Sequence, residues 1–158
     1  MVASLNVRVY VACAAVLYFK HLVTTGIQGG KTFKSGGRPP EDNKLSLAKG
    51  NPKQNYGLNL AEKDEKVLKA REVEHRWRRI VANDLESIPF ALFVFAGGVL
   101  ANANEAAFAA TMILYTVARC LHSYAYAHQM QPHRALFWFI AVLCILAGAG
   151  NAIVAAYL

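Results

Sequence analysis

Charged and polar side chains lie inside apolar stretches of this chain, at a spacing that places them on shared helix faces. The first set consists of Arg76, Arg79, Asn83 and Glu86, and the second of Arg119, His122 and Tyr126. Members of each set are three or four residues apart, the separation of neighbours on a helix surface. Because charged groups are costly in a bilayer, such residues usually face protein, water or a ligand. The spacing predicts a polar site within a membrane helix bundle.

The residue types in these sets suit a small ligand that carries several carboxylates and one ammonium group. Arginines pair with carboxylates, and Glu86 can accept an ammonium group or orient an arginine. Arg134 follows Pro132 at the expected start of a helix, where the helix dipole adds partial positive charge. Together the dipole and Arg134 would stabilise an anion such as a thiolate. Two plainer readings remain open: the arginines near residue 78 as anchors that reach the lipid headgroups, and His122 with Tyr126 as helix packing.

The elements that must position these residues are four apolar stretches of membrane-spanning length. The chain has 158 residues, of which 55% are hydrophobic. The expected spans are 5–27, 78–100, 106–127 and 135–158, and each would cover about 30 Å as a helix. We therefore predict one domain, residues 1–158, that is an all-α integral membrane protein with a four-transmembrane-helix bundle. Glycine pairs at residues 29–30 and 36–37 are expected to end the first helix.

A long polar loop, residues 28–77, joins the first two spans and carries most of the positive charge. Between Gln28 and Arg79 there are 13 Lys and Arg against 7 Asp and Glu. The positive-inside rule places this loop in the cytosol or an organelle matrix. The membrane that we expect first is that of the endoplasmic reticulum, and a mitochondrial membrane is the alternative. This charge indicates topology and lipid contact rather than nucleic-acid binding. From about Leu60 the pattern becomes that of a charged, wet helix leading into the second span.

Cysteine spacing indicates neither a disulfide framework nor a metal site. Cys13, Cys120 and Cys144 all lie within the expected spans, and their spacing fits no zinc pattern. We interpret them as buried small apolar residues, and we expect no metal cofactor.

Four short segments resemble motifs of the MAPEG family, the membrane-associated proteins of eicosanoid and glutathione metabolism. They are RIVANDLESIPF at 79–90, ARCLHSYAY at 118–126, QPHRAL at 131–136 and PED at 40–42. Within the family, the resemblance is nearest to the microsomal glutathione transferase branch. It implies a homotrimer that binds glutathione, as co-substrate, between subunits.

The resemblance also implies roles for individual residues. Arg134 matches the arginine associated with the glutathione thiolate, and it is a catalytic candidate together with Tyr126. The residues that would bind glutathione are Lys31, Arg76, Arg79, Asn83, Glu86, Arg119, His122 and Tyr126. The second substrate would be a hydrophobic electrophile or a lipid hydroperoxide, which implies transferase activity, with peroxidase activity as an additional expectation.

A second hypothesis comes from a different class: a catalytically silent, MAPEG-like subunit of a larger membrane assembly. The long basic loop favours this reading, since it would dock a partner. The motif spacing also favours it, because one residue is missing relative to the family pattern between Glu86 and Pro89 and another between Tyr126 and Arg134. The retained intramembrane charges favour the enzyme, because a scaffold has no need of side chains that are costly in a bilayer.

Overall fold

The computed structural model describes residues 3–59 and 61–158, and their regular structure is entirely helical. Four long helices follow in order: α1 (Leu5–Ser35), α2 (Glu65–Leu100), α3 (Glu105–Ala127) and α4 (His133–Tyr157). Two short 3-10 helices, Pro40–Lys44 and Ser46–Ala48, lie between α1 and α2. The predicted all-α class is confirmed.

Three of the helices in the described part of the chain, α1, α2 and α4, have the length and mean hydropathy needed to cross a membrane. The remaining helix, α3, has 23 residues, enough for about 34 Å at 1.5 Å per residue. Its polar residues Arg119, His122 and Ser123 are buried rather than turned outwards. The chain is therefore a multi-pass integral membrane protein built on four helices.

The first helix continues past the point where we expected it to stop. Gly29 and Gly30 are helical, and α1 ends only at Ser35. At that point Gly36 takes a left-handed φ of 74°, its amide bonds to the Phe33 carbonyl, and the Gly37 amide bonds to the Thr32 carbonyl. This is a Schellman motif. The first glycine pair only lowers helix propensity, whereas the second supplies the conformation that terminates a helix.

The predicted wet extension of the second span is helical, and it begins at Glu65. Leu60, where we expected it to start, lies outside the described residues. Because α1 ends later than predicted and α2 begins at Glu65, the described non-helical part of the 28–77 loop is confined to residues 36–59 and 61–64, apart from the two 3-10 helices.

The chain divides into two compact units. The first, called here the bundle unit, contains the residues up to His21 and Asn83–Leu158; the second, called the loop unit, contains Leu22–Ala82. Each is described separately below.

All four helices contribute to the core of the bundle unit. Its most buried members include Leu17, Phe95, Met112 and Tyr115. The ring of Phe95 meets that of Phe108 edge-on, with centroids 5.7 Å apart. Gly148 lets α4 approach closely, because a Cβ atom there would lie 2.7 Å from the Phe95 ring. Large apolar residues such as Phe19, Phe93 and Leu146 face outwards, as expected of a surface that contacts lipid.

Polar contacts at one end of the bundle unit set the up-and-down order of its helices. The Asn6 side chain donates to the Ala103 carbonyl at 2.8 Å, so the start of α1 meets the α2–α3 turn. Asn151, near the end of α4, exchanges two hydrogen bonds with the backbone of Asn104. Asn104 also caps α3 by accepting from the Ala107 amide at 3.0 Å.

The loop unit is organised around a single buried amide, Gln54. Its side chain donates to the carbonyls of Phe33 and Pro52 at 2.9 and 2.7 Å and accepts from the Arg38 amide at 3.1 Å. Asn43 holds the Gln54 backbone through two further bonds of 2.9 and 3.0 Å. These bonds give the connection after α1 a defined fold, although it has little regular structure.

Candidate functional site

A buried cluster of three charges lies inside the bundle unit. Asp84 on α2 receives Lys20 of α1 at 2.6 and 2.5 Å, one bond on each oxygen, and Arg119 of α3 at 2.7 Å. Arg119 also donates to the Asn83 carbonyl at 3.0 Å. Both Asp84 and Arg119 are essentially inaccessible. The hydrogen bonds of Arg119 therefore go to α2 of its own chain.

This cluster ties three helices together at one level of the bundle. Burial of charged groups costs hydration free energy, and the attraction within an ion pair offsets this cost only when the geometry and the hydrogen bonds are good. The cluster meets that condition on the carboxylate side, because both Asp84 oxygens are bonded. The Ser87 hydroxyl, 3.0 Å from the Tyr115 hydroxyl, adds a second polar link between α2 and α3 one turn away.

A second group lies where α3 ends and α4 begins. The Arg134 guanidinium is 4.5 Å from the centre of the Tyr126 ring, and the Tyr126 ring is 5.9 Å from that of His122 in an edge arrangement. Arg134 and Tyr126 are half-buried, whereas His122 is buried. Three of the residues predicted from sequence thus meet here. We call this group the Arg134 cluster.

Positioning of the Arg134 cluster follows from the connection between α3 and α4. His128 closes α3 with its amide on the Tyr124 carbonyl, and the Met130 amide reaches back to the Ala125 carbonyl at 2.8 Å. The Arg134 amide then bonds to the Met130 carbonyl at 3.0 Å. This compact turn brings the first turn of α4 over the last turn of α3, which a cation–π contact with Tyr126 requires.

Several buried polar atoms along α3 have no hydrogen-bond partner within the described chain. They are the Arg119 Nε, the His122 Nδ1 and the Ser123 Oγ atoms. Buried polar groups are nearly always paired in folded proteins. Three such atoms within the five residues 119–123 give this part of α3 spare hydrogen-bonding capacity.

The predicted stripe on α2 lies on one continuous helix, as its spacing requires. In the bundle unit, Asn83 is half-buried and Glu86 is exposed. In the loop unit, Lys31 and Arg76 are half-buried and Arg79 is exposed. Assignment of these residues to glutathione stays a prediction.

The loop unit has an ion pair of its own close to these cations. Glu74 is buried and receives Arg78 at 2.7 Å, while the Thr32 hydroxyl lies 3.5 Å from it. Thr32 in turn bonds to the Gln28 carbonyl and side chain at 2.9 Å. Glu74 thus holds α2 against the last turns of α1.

Sequence reasoning missed the roles of Lys20 and Asp84. Lys20 appears in sequence only as an interruption of the first apolar run, and Asp84 only as one more polar residue beside Asn83. A signal was present, because a lysine that deep in an apolar run needs a partner. Its partner lies on another helix, and sequence spacing does not reveal contacts between helices.

The comparison with family models identifies the family of this chain. The MAPEG family model matches residues 7–154, a range that includes α2, α3 and most of α1 and α4. The chain therefore belongs to the MAPEG family. The comparison with curated proteins gave no match.

Proposed function

We propose that this protein is a glutathione transferase of the membrane that conjugates glutathione to hydrophobic electrophiles, with peroxidase activity towards lipid hydroperoxides. Family membership supports the general class, which includes glutathione transferases and related proteins. The observation that carries the proposal is the Arg134 cluster, in which a half-buried guanidinium lies against the ring of Tyr126 at the start of α4.

The cluster suits stabilisation of a thiolate. Lowering the pKa of a bound thiol by two requires about 2.7 kcal/mol of differential stabilisation of the anion. An arginine at low dielectric, aided by the positive end of α4, provides interactions of that size. Stacking on Tyr126 restricts the guanidinium while leaving its N–H donors available, and the Tyr126 hydroxyl is a further donor for the sulfur.

The other charged residues predicted from sequence are the proposed partners of the charged groups of glutathione. Its two carboxylates would pair with the cations Lys31, Arg76 and Arg79, and its ammonium group with Glu86. His122 and Asn83 would supply polar contacts, while Arg119 would act through Asp84 and the Asn83 carbonyl it already holds. This assignment rests on motif resemblance together with the helical spacing on α2.

A homotrimer would complete the site. Glu86 is exposed on the single chain, in a helix with the length and hydropathy of a membrane span. An exposed carboxylate at such a position is costly unless protein, water or a ligand covers it. We propose that neighbouring copies do so and that glutathione lies between them, on the side of the membrane that holds the α1–α2 connection. The endoplasmic reticulum is the proposed location, with a mitochondrial membrane as the alternative.

Glutathione titration of the purified protein in detergent tests the proposal. We expect saturable heat on calorimetry at millimolar glutathione, and an ultraviolet difference signal from the thiolate that saturates over the same range. Conjugation to a hydrophobic electrophile should follow the thiolate signal. Binding without a thiolate signal would remove the catalytic assignment of Arg134, and absence of both would remove the enzyme.

The second candidate is a silent structural subunit, and the ordered α1–α2 connection is the observation that favours it. Gln54 and Asn43 give this basic segment a defined surface of the kind a partner requires. On this reading the protein binds no glutathione but co-purifies in a larger membrane complex after mild solubilisation. The glutathione titration separates the two candidates.

A further inference from the structure

A cavity of about 640 Å³ opens on the loop unit, and the proposed function does not use it. Its lining comes from three stretches of chain: the last turn of α1, residues 50–53, and residues 62–70 around the start of α2. None of the residues that we assign to glutathione lines this cavity. Its volume falls within the range of about 300–1,000 Å³ that is usual for small-molecule sites.

The first two stretches pack together and bring two lysines to the cavity. Gln54 donates to the Phe33 carbonyl at 2.9 Å, and a Cβ atom at Gly36 would lie 3.1 Å from the Lys53 carbonyl oxygen. Lys34 and Lys53 both line the cavity and are exposed. Neither forms an ion pair with any described residue, so both ammonium groups are available to an anion. We call Lys34 and Lys53 the lysine side of the cavity.

The third stretch brings two carboxylates, which local hydrogen bonds at the start of α2 hold in place. Glu62 Oε1 accepts from the amides of Lys63 and Asp64 at 3.1 and 3.0 Å, and Glu62 Oε2 accepts from the Asn59 side chain at 3.2 Å. Asp64 accepts from the Lys66 amide at 2.8 Å. Because a carboxylate has about four acceptor positions, each can accept at least one further hydrogen bond. This side of the cavity therefore suits a hydroxyl donor.

Apolar side chains complete the lining. Val67 is buried, while Pro52 and Ala70 are half-buried. Val67 and Ala70 are three residues apart and share one face of α2. An apolar ring system such as a nucleobase would bury surface against these side chains, which is favourable. The cavity thus combines cations, hydrogen-bond acceptors and apolar contacts.

From these three features we propose that the cavity binds a nucleotide that carries two or more phosphate groups. The phosphates bind Lys34 and Lys53, since the lysine ammonium group is a frequent partner of phosphate. A ribose hydroxyl donates to Glu62, as it does to an acidic residue in dinucleotide-binding folds. The base packs against Val67. A simple anion would satisfy only the lysine side and would be repelled by the carboxylates, whereas a nucleotide offers each side the group that it binds.

Calorimetry on the intact protein in detergent tests this site, with EDTA present to prevent binding through a metal ion. The probe is ADP, and the comparators are pyrophosphate, adenosine and the dideoxy analogue of ADP that lacks both ribose hydroxyls. We expect saturable binding of ADP and no saturable heat from adenosine. Pyrophosphate and the dideoxy analogue should each bind about tenfold more weakly than ADP, the ratio that one hydrogen bond to a charged group provides.

Three results would overturn the proposal. Equal affinities of ADP and pyrophosphate would show a basic surface without selectivity for a nucleotide. Tighter binding of inositol trisphosphate than of ADP would indicate a site for a lipid headgroup. Displacement of ADP by saturating glutathione would show that the two ligands share one site, although no proposed glutathione residue lines the cavity.

Two kinds of variant locate the nucleotide within the cavity. Lys34→Gln and Lys53→Gln should each lower the affinity for both ADP and pyrophosphate about tenfold, whereas Lys49→Gln, at an exposed position outside the lining, should leave both unchanged. Glu62→Gln should make ADP and its dideoxy analogue bind equally. Wild-type affinity in either lysine variant, an equal loss in Lys49→Gln, or an unchanged ratio in Glu62→Gln would overturn the assignment. If Glu62→Gln fails to fold, the dideoxy comparison on the wild type decides alone.

Discussion

The Asp84 cluster and the Arg134 cluster are both polar regions of the same bundle unit, yet they differ in how their charges are used. Asp84 has both oxygens bonded by cations from two other helices, and it is inaccessible. Arg134 is half-buried, and its visible partner is the face of an aromatic ring. A carboxylate whose oxygens are both bonded by its own chain can stabilise the fold, but it has little remaining capacity to bind a ligand. A guanidinium that packs against an aromatic ring keeps its N–H donors available to bind a ligand.

The largest effect should come from removing the shared carboxylate. Asp84→Ala would leave Lys20 and Arg119 buried without a counter-charge, which costs about 3–5 kcal/mol. We expect the variant to lose most of its folded population in detergent, as measured by thermal unfolding and size-exclusion chromatography. Glu72→Gln is the matched control on the same helix, because Glu72 is exposed and lies outside the proposed site. A variant at Asp84 as stable as this control would place the stabilising role elsewhere.

Removing the half-buried cation Arg134 should lower the rate of conjugation rather than the stability of the fold. Arg134→Ala should lower the conjugation rate near neutral pH by about one to three orders of magnitude, the scale for removing one charge-stabilising donor. Most glutathione binding should remain, while the apparent pKa of the bound thiol rises. Arg134→Lys should restore part of the rate, since the charge persists without the fork. His133→Ala, at the exposed neighbouring position, serves as control. Wild-type rates in Arg134→Ala would make Arg134 an interfacial anchor.

Charge reversal at Glu86 examines the side of the proposed site that lies on α2. Glu86→Lys should abolish measurable glutathione binding, because it places a cation where the ammonium group is expected. Assembly into the proposed trimer should persist, since Glu86 makes no ion pair within the described chain. Calorimetry and the measured molar mass in detergent check both expectations. Loss of the trimer with intact monomers would instead assign Glu86 to the interface between copies.

The smallest effect should come from the loop unit. There Gln54 holds the surrounding chain by hydrogen bonds, as Asp84 does in the bundle unit, but it carries no charge. Gln54→Ala leaves the Phe33 and Pro52 carbonyls without their side-chain donor, which costs about 1–3 kcal/mol. Limited proteolysis should then cut within residues 36–59 several-fold faster, while glutathione binding changes little. Lys49→Ala, an exposed site in the same segment, should behave like the wild type. Equal cleavage of the two variants would show that Gln54 does not hold this segment.

Membership of the helical class could be predicted because long apolar runs leave the backbone few alternatives in a bilayer. Every backbone group must find a partner there, and a helix provides them all locally. The end of α1 was less predictable. Two glycine pairs look alike in sequence, but only the second takes the left-handed conformation with returning hydrogen bonds. A glycine permits such a conformation without requiring it, so the surrounding contacts decide.

Spacing along one helix determined which residues share a face, since that depends only on the helical repeat. It placed Arg119, His122 and Tyr126 on one side of α3 and put Arg134 at the start of α4. Contacts between helices were decided by the tertiary structure, which set Lys20 and Arg119 on Asp84 and laid Arg134 over Tyr126. These contacts join residues as many as 64 positions apart. They depend on how the helices rotate and slide against one another, and no local repeat in the sequence encodes that.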